Sequence, residues 1–205
     1  MVHGYHIILP LYGFWLPNDP RGSWSDFVWK WELVRFGKAT KRIERRDLND
    51  LSTDELRQRE LAKRNLKYPP VSLTGKQALG VAQGFADRVR KSNYTVWACA
   101  ILPEHVHLVL ARHTYAAEQM AKLLKGAATL HLKTNGLHPQ EQFADPDLPR
   151  CWAESQWIVF LDSEEQIENA IRYVEENPEE EGKPRQHWRF VSPFRGLDAG
   201  CVNYH

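Results

Sequence analysis

The chain has 205 residues, 42% of them hydrophobic and 26% charged, with a formal net charge of +1. That length suits one domain with a real core, and the composition is that of a globular protein. It excludes a spanning helix, since no window reaches the ~18 apolar residues a bilayer needs. Three scattered cysteines (Cys99, Cys151, Cys201) without CxxC spacing argue against a zinc ribbon and for a reducing cytoplasm.

The start, Met-Val-His-Gly-Tyr-His, lacks the basic segment and cleavage site of a secretory signal. Residues 4–16, rich in β-branched and aromatic side chains, predict a strand. "PNDPRG" at 17–22 predicts a turn. In 24–36, Trp24, Phe27, Val28, Trp31 and Val34 recur at helical spacing, with Trp29, Leu33 and Phe36 on a second stripe. Those aromatics suit either a helix docked on the core or a stacking surface for unpaired bases. Residues 37–72 read as a charged insertion of one or two surface helices. Residues 35–67 hold eleven Lys/Arg against six Asp/Glu, whereas 162–181 hold nine acids and one Arg. A chain polarised in this way can present a basic face while staying near neutral overall.

Thr74, with Gln77 three residues on, opens a helix through a capping box, and Asn93 suits its exit. Ala78, Val81, Ala82, Phe85 and Val89 form its apolar stripe. Residues 94–102 and 105–111 predict an antiparallel strand pair around Pro103-Glu104. Thr114 is placed to cap a second helix reaching about Asn135-Gly136, with Met120, Leu123, Leu124, Ala127 and Leu130 facing inward. A proline-rich loop at 137–151 leads to a strand over 155–162. Ser163 and Gln166 open a third helix that Pro178 is expected to end. The tail from about 179 is irregular. The order β-α-β-β-α-β-α predicts an α+β, ferredoxin-like split βαβ: an antiparallel sheet with helices on one face and a further C-terminal helix.

Within "PEHVHLVLA" (103–111), His105 and His107 lie two residues apart in an apolar strand, so both imidazoles point to one face. Two half-exposed histidines on a polar face would also fit. A histidine-triad hydrolase wants a third His where Val109 stands. A metallo-β-lactamase site wants further ligands where Leu108-Val109-Leu110 stands. A third arrangement pairs the two imidazoles with one more ligand and a tyrosine from elsewhere. In "SEEQIENAIRYVEENP", Tyr173 and Asn177 are four residues apart on one helix face, so a phenol and a carboxamide project together. An amphipathic tyrosine at the core's edge and an asparagine ending the helix would explain the same spacing.

"PEHVHLVL" followed some sixty residues later by "AIRYVEENP", with "YGFWLPNDPRGSW" near the start, resembles the single-tyrosine HUH transposases of bacterial insertion sequences, closest to their REP-associated tyrosine transposase branch. The resemblance runs from about residue 4 to 195 within one domain, 1–205, and carries no pattern over 37–72. It implies a ferredoxin-like sheet with the histidines on a central strand. His105 and His107 would bind one divalent ion, Mg²⁺ or Mn²⁺, with Asn177 as third ligand; relatives often carry Gln at that position, so Asn177 shortens the reach. Tyr173 would be the nucleophile. The loop around Arg21, the basic residues Arg42, Arg45 and Arg46, and Lys125 would touch the DNA backbone.

The implied enzyme is a single-strand DNA endonuclease and strand transferase acting on single-stranded or hairpin DNA through a 5′-phosphotyrosine intermediate, in the cytoplasm at the nucleoid and with no membrane partner. Monomer and homodimer both stay open. A catalytically silent hairpin DNA- or RNA-binding module of the same fold, and an unrelated metal hydrolase using the two histidines, are the alternatives.

Overall fold

Seven consecutive residues, Gly4–Pro10 (β1), pair along one side, and the first five of them along the other, to form the spine of an antiparallel sheet. The computed structural model describes residues 1–16, 18–21, 33, 40, 48–144 and 147–197. The chain forms two compact units. One comprises Met1–Pro10 with Ser72–His205, the other Leu11–Val71.

In the first unit, β1 pairs with His105–Ala111 (β3) and with Trp157–Leu161 (β4), and β3 pairs with Val96–Ile101 (β2). The order β2-β3-β1-β4, antiparallel throughout, is that of a split βαβ sheet. Successive side chains alternate between faces. Ile7, Leu9, Val106, Leu108 and Leu110 therefore share one face, and all are buried. Helices Gly75–Ser92 (α2) and Ala117–Thr134 (α3) cover that side. They approach closely at Gly84, where an added Cβ would lie 2.6 Å from the Cα of Ala128.

The opposite face carries His6, His105, His107, Val109 and Ala111. Helix Glu164–Glu180 (α4) packs there, seating Ile167, Ala170 and Val174 against Ala98, Ala100, Val109 and Ala111. The histidine face is therefore covered at one end by apolar packing. Beyond α4 the chain runs beside the free edge of β2. Gln186 accepts from the Ile101 N–H at 2.8 Å and donates to its carbonyl at 2.9 Å, and Ser192 N–H donates to Val96 O at 2.8 Å. A sheet edge that would otherwise present unpaired backbone groups is thus closed.

The second unit includes helix Thr53–Arg64 (α1), opened by a Ser52–Glu55 capping box. Leu16, Leu33 and Ala62 form its small apolar cluster. Gly13 makes the turn that leaves β1 at a φ of 79°, a conformation that favours glycine.

Four local expectations are corrected. The strand expected over 4–16 ends at Pro10, because Leu11–Trp15 turn away. Thr114 does not cap α3; its hydroxyl lies by His113 Nδ1, and the helix begins after Ala116 without a side-chain cap. The inward stripe of α3 runs through Met120, Ala121, Leu124, Ala128 and Leu132, leaving Leu130 exposed. Pro178 lies inside α4 rather than ending it. A proline forfeits its own N–H and crowds the carbonyl four residues before it, yet the helix runs on through it, and Glu181 N–H still bonds Asn177 O at 3.2 Å. The helix expected over 24–36 lies, Leu33 apart, outside the described residues. No described helix is long and apolar enough to cross a membrane.

Candidate active site

β3 is an interior strand, held on both sides by backbone pairing, so its side chains are set by sheet register rather than by loop conformation. His105 and His107 point together from it toward α4, with ring centroids 4.8 Å apart. Both are buried, His107 to 2% exposure.

A third imidazole joins them. Register pairs Ile8 with His107 and His6 with Val109, which makes His6 the diagonal neighbour of His107. His6 Nε2 lies 3.0 Å from His107 Nδ1, a buried hydrogen bond between residues 101 positions apart. Burial pulls the His6 imidazole down to about 4, so it is neutral at pH 7. The reading from sequence alone did not include His6. The one available signal was a histidine set, like the HxH pair, in a run of β-forming residues.

From α4, Tyr173 reaches the same place. Its ring centroid is 5.5 Å from that of His107 and 5.8 Å from that of His6. It is 40% exposed, so a solvent-borne group can reach it. Asn177, one turn further, is 7% exposed, and its Oδ1 has no hydrogen-bond partner. At the helix end, Glu181 Oε1 is 3.9 Å from His105 Nε2, while Glu181 Oε2 accepts from Lys183 at 3.1 Å. The structure therefore brings together Tyr173, His105 and His107, three residues singled out from sequence, adds His6 and Glu181, and sets a fourth, Asn177, on α4 between Tyr173 and Glu181.

The donors fit a divalent ion. Two imidazoles and a carboxamide oxygen make a mixed N/O set of the kind Mn²⁺ accepts readily and Mg²⁺ less so. A buried carbonyl oxygen without a partner is costly, and a cation would satisfy it. Among the described residues, no group of three or more His, Cys, Asp and Glu side chains is arranged to hold a metal. α4 also exposes Arg172, Glu175, Glu176, Glu179 and Glu180.

Two of the basic residues expected at the DNA backbone, Arg21 and Lys125, are buried and paired within the chain. Arg21, in the Leu11–Val71 unit, is buried. Its Nε and Nη2 donate to Asp19 at 2.9 Å each, and its guanidinium lies 3.9 Å from the Trp15 ring centroid. Lys125 is also buried, and its ammonium donates to Ala153 O, Ser155 O and Gln156 Oε1 at 3.0, 3.1 and 3.2 Å. Those three bonds use all of its donors. Arg42, Arg45 and Arg46 lie outside the described residues.

No protein-family model matches this sequence. No curated protein matches it either. Among solved structures, the chain is similar to a REP-associated tyrosine transposase bound to a REP hairpin, at 12% identity and a TM-score of 0.46, over 88% of this chain and 68% of that one. It is also similar to a candidate transposase from Deinococcus radiodurans R1, at 14% identity and a TM-score of 0.44, over 85% of this chain and 90% of that one.

Proposed function

We propose that this chain is a metal-dependent DNA strand transferase of the transposase type, which cuts and rejoins single-stranded or hairpin DNA through a phosphotyrosine bond. The observation that carries the reading is the meeting of a half-exposed phenol, Tyr173, with buried His107, on a helix whose next turn carries the buried, unpartnered Oδ1 of Asn177.

His105, His107 and Asn177 would hold the ion, Mg²⁺ or Mn²⁺. When bound, it supplies positive charge to phosphate oxygens and makes the phosphorus a better electrophile. The remaining chemistry belongs to the chain. Tyr173 is a weak nucleophile until its hydroxyl gives up its proton. The phenolate oxygen then bonds to the scissile phosphorus, and the bond from phosphorus to the 3′ oxygen breaks. The leaving oxygen takes up a proton as a free 3′-hydroxyl, and the 5′-phosphate stays on Tyr173. Attack by a second 3′-hydroxyl reverses the step on a new end and releases the phenol. The number of phosphoester bonds is unchanged, so no nucleotide hydrolysis is required. α4 is anchored by Ile167, Ala170 and Val174, which fixes where the phenol stands before substrate arrives.

The test is incubation of the chain with end-labelled single-stranded hairpin oligonucleotides and Mn²⁺, followed by denaturing electrophoresis. A labelled protein adduct is expected, absent in Tyr173→Phe and in the presence of chelator. Hairpin binding without any adduct from the wild-type chain would instead indicate a silent binding module. Cleavage that survives in Tyr173→Phe would indicate a hydrolase built on the two histidines.

A further inference from the structure

Three imidazoles meet on the covered face of the sheet, but one of them is already committed. His6 Nε2 faces His107 Nδ1 at 3.0 Å, with both residues buried and their rings tilted by 32°. A hydrogen bond between two imidazole nitrogens needs one N–H and one lone pair, so two assignments exist. If His6 donates, the His107 proton sits on Nε2, and its remaining lone pair is taken by His6. If His107 donates from Nδ1, its Nε2 becomes the lone-pair nitrogen, the form in which an imidazole binds a metal.

The second assignment is the one that suits a metal ligand. The pair is held by the seven-residue register of β1 on β3, not by a mobile loop, and the nitrogen turned to His6 is Nδ1. Metal-bound histidines almost always donate their second ring N–H to an acceptor that fixes tautomer and ring orientation, and His6 Nε2 is the group placed to accept it.

We infer that His6 is a positioning residue that accepts the Nδ1–H of His107 and thereby presents the Nε2 lone pair of His107 to the divalent ion. The inference rests on the proposed metal role of His107. It makes the neighbouring strand, β1, part of the metal site without giving it a ligand.

The test has two readouts, neither of them activity. In the full-length, metal-free chain labelled with ¹⁵N-histidine, long-range ¹H–¹⁵N correlations report which nitrogen of each ring is protonated. The His107 signals are assigned by their loss in His107→Gln. The expected result is the Nδ1–H tautomer for His107 in the wild-type chain. Titration with Mn²⁺, followed by the electron paramagnetic resonance of the free ion, then gives affinity. His6→Phe is expected to weaken Mn²⁺ by about 10- to 100-fold, and His6→Gln, which keeps an acceptor oxygen, to restore most of the loss. An Nε2–H tautomer at wild-type His107 would overturn the inference, whether or not the Phe variant folds. So would unchanged Mn²⁺ affinity in a folded His6→Phe. Unchanged affinity in His107→Gln would overturn the metal role itself and the inference with it, an outcome distinct from failure at His6 alone.

Discussion

Asn177 stands one helical turn beyond Tyr173, and its carboxamide oxygen is buried without a hydrogen-bond partner while the phenol beside it is 40% exposed. A fold maintains such an orphan against a cost of about 1–3 kcal/mol. Replacing it by the similarly shaped Leu removes the cost and the proposed ligand together. In chelator, Asn177→Leu should be more stable than wild type by about 1 kcal/mol, or ~2–4 °C in Tm for a chain of this size. Mn²⁺ should raise the Tm of wild type, as any ligand selective for the folded state does, and leave that of the Leu variant unmoved. Thermal melts with and without Mn²⁺ check both halves. A Leu variant less stable than wild type in chelator would contradict this account.

Two glycines in the helices covering the other face separate packing from propensity. Gly84 on α2 has no room for a methyl, because an added Cβ would lie 2.6 Å from Ala128 Cα and 2.8 Å from Ala127 O. Both obstacles are backbone, so Gly84→Ala must push α2 and α3 apart. It should cost roughly 1–3 kcal/mol. Gly126 on α3 has nothing within 4 Å of the same atom, and Gly126→Ala should add about 0.5–1 kcal/mol through helix propensity alone. Urea midpoints of the two variants should therefore move in opposite directions.

What could be read in the sequence depended on how local each rule is. His105 and His107 share a face because strands alternate, and Tyr173 and Asn177 share one because helices repeat at four residues. Neither relation needs knowledge of the fold. The strand order followed from the succession of elements. His6 escaped because its relation to His107 spans 101 residues and exists only once β1 and β3 are in register, which periodicity does not encode. The burial of Arg21 was not legible for a similar reason. A basic residue between Pro20 and Gly22 looks like an exposed loop contact, yet Asp19 and the stacked Trp15 draw it inward, and Arg59, forty positions from Asp19, closes the cluster. Pro178 was read as a stop because proline usually is one. Here the turn around it keeps Val174 and Asn177 buried, and one missing N–H does not undo that burial.

Gln186 carries the closure of the β2 edge. Its amide both accepts from and donates to the Ile101 backbone, at 2.8 and 2.9 Å, like one more residue of sheet. Gln186→Ala should leave a part-buried N–H and C=O without this partner and cost about 1 kcal/mol. The urea midpoint should fall with the m-value unchanged. Exchange of the Ile101 amide should accelerate relative to those of β1. Equal protection of Ile101 in both proteins would show that the tail closes this edge without Gln186.

The Leu11–Val71 unit is stabilised by a buried carboxylate. Asp19 Oδ2 lies 2.9 Å from Arg21 Nη2 and 3.2 Å from Arg59 Nε, and Oδ1 accepts from the Arg21 backbone at 3.0 Å. Burial alone would raise the Asp19 carboxyl. The hydrogen bonds and charge of Arg21, with the charge of Arg59, outweigh it and hold the group below its ordinary value of 3.8. The folded chain therefore binds this proton at lower pH than the unfolded chain does. Between the two values the unfolded state carries more protons, so stability rises with pH there. The contribution of Asp19 is complete above the ordinary carboxylate range and is lost as pH falls below about 3.8 toward the folded value. Asp19→Asn removes the charge but not the shape, leaving the buried Arg21 guanidinium without this counter-charge and Arg59 with only the exposed Glu60 among the described residues, at an expected cost of about 3–5 kcal/mol. Hydrogen exchange of the α1 amides reads this locally. Exchange should be faster in the Asn variant at neutral pH, and the difference from wild type should narrow as wild-type Asp19 is protonated in acid. An Asn variant whose α1 amides remain as protected as those of wild type at neutral pH would show that the carboxylate does not stabilise this unit.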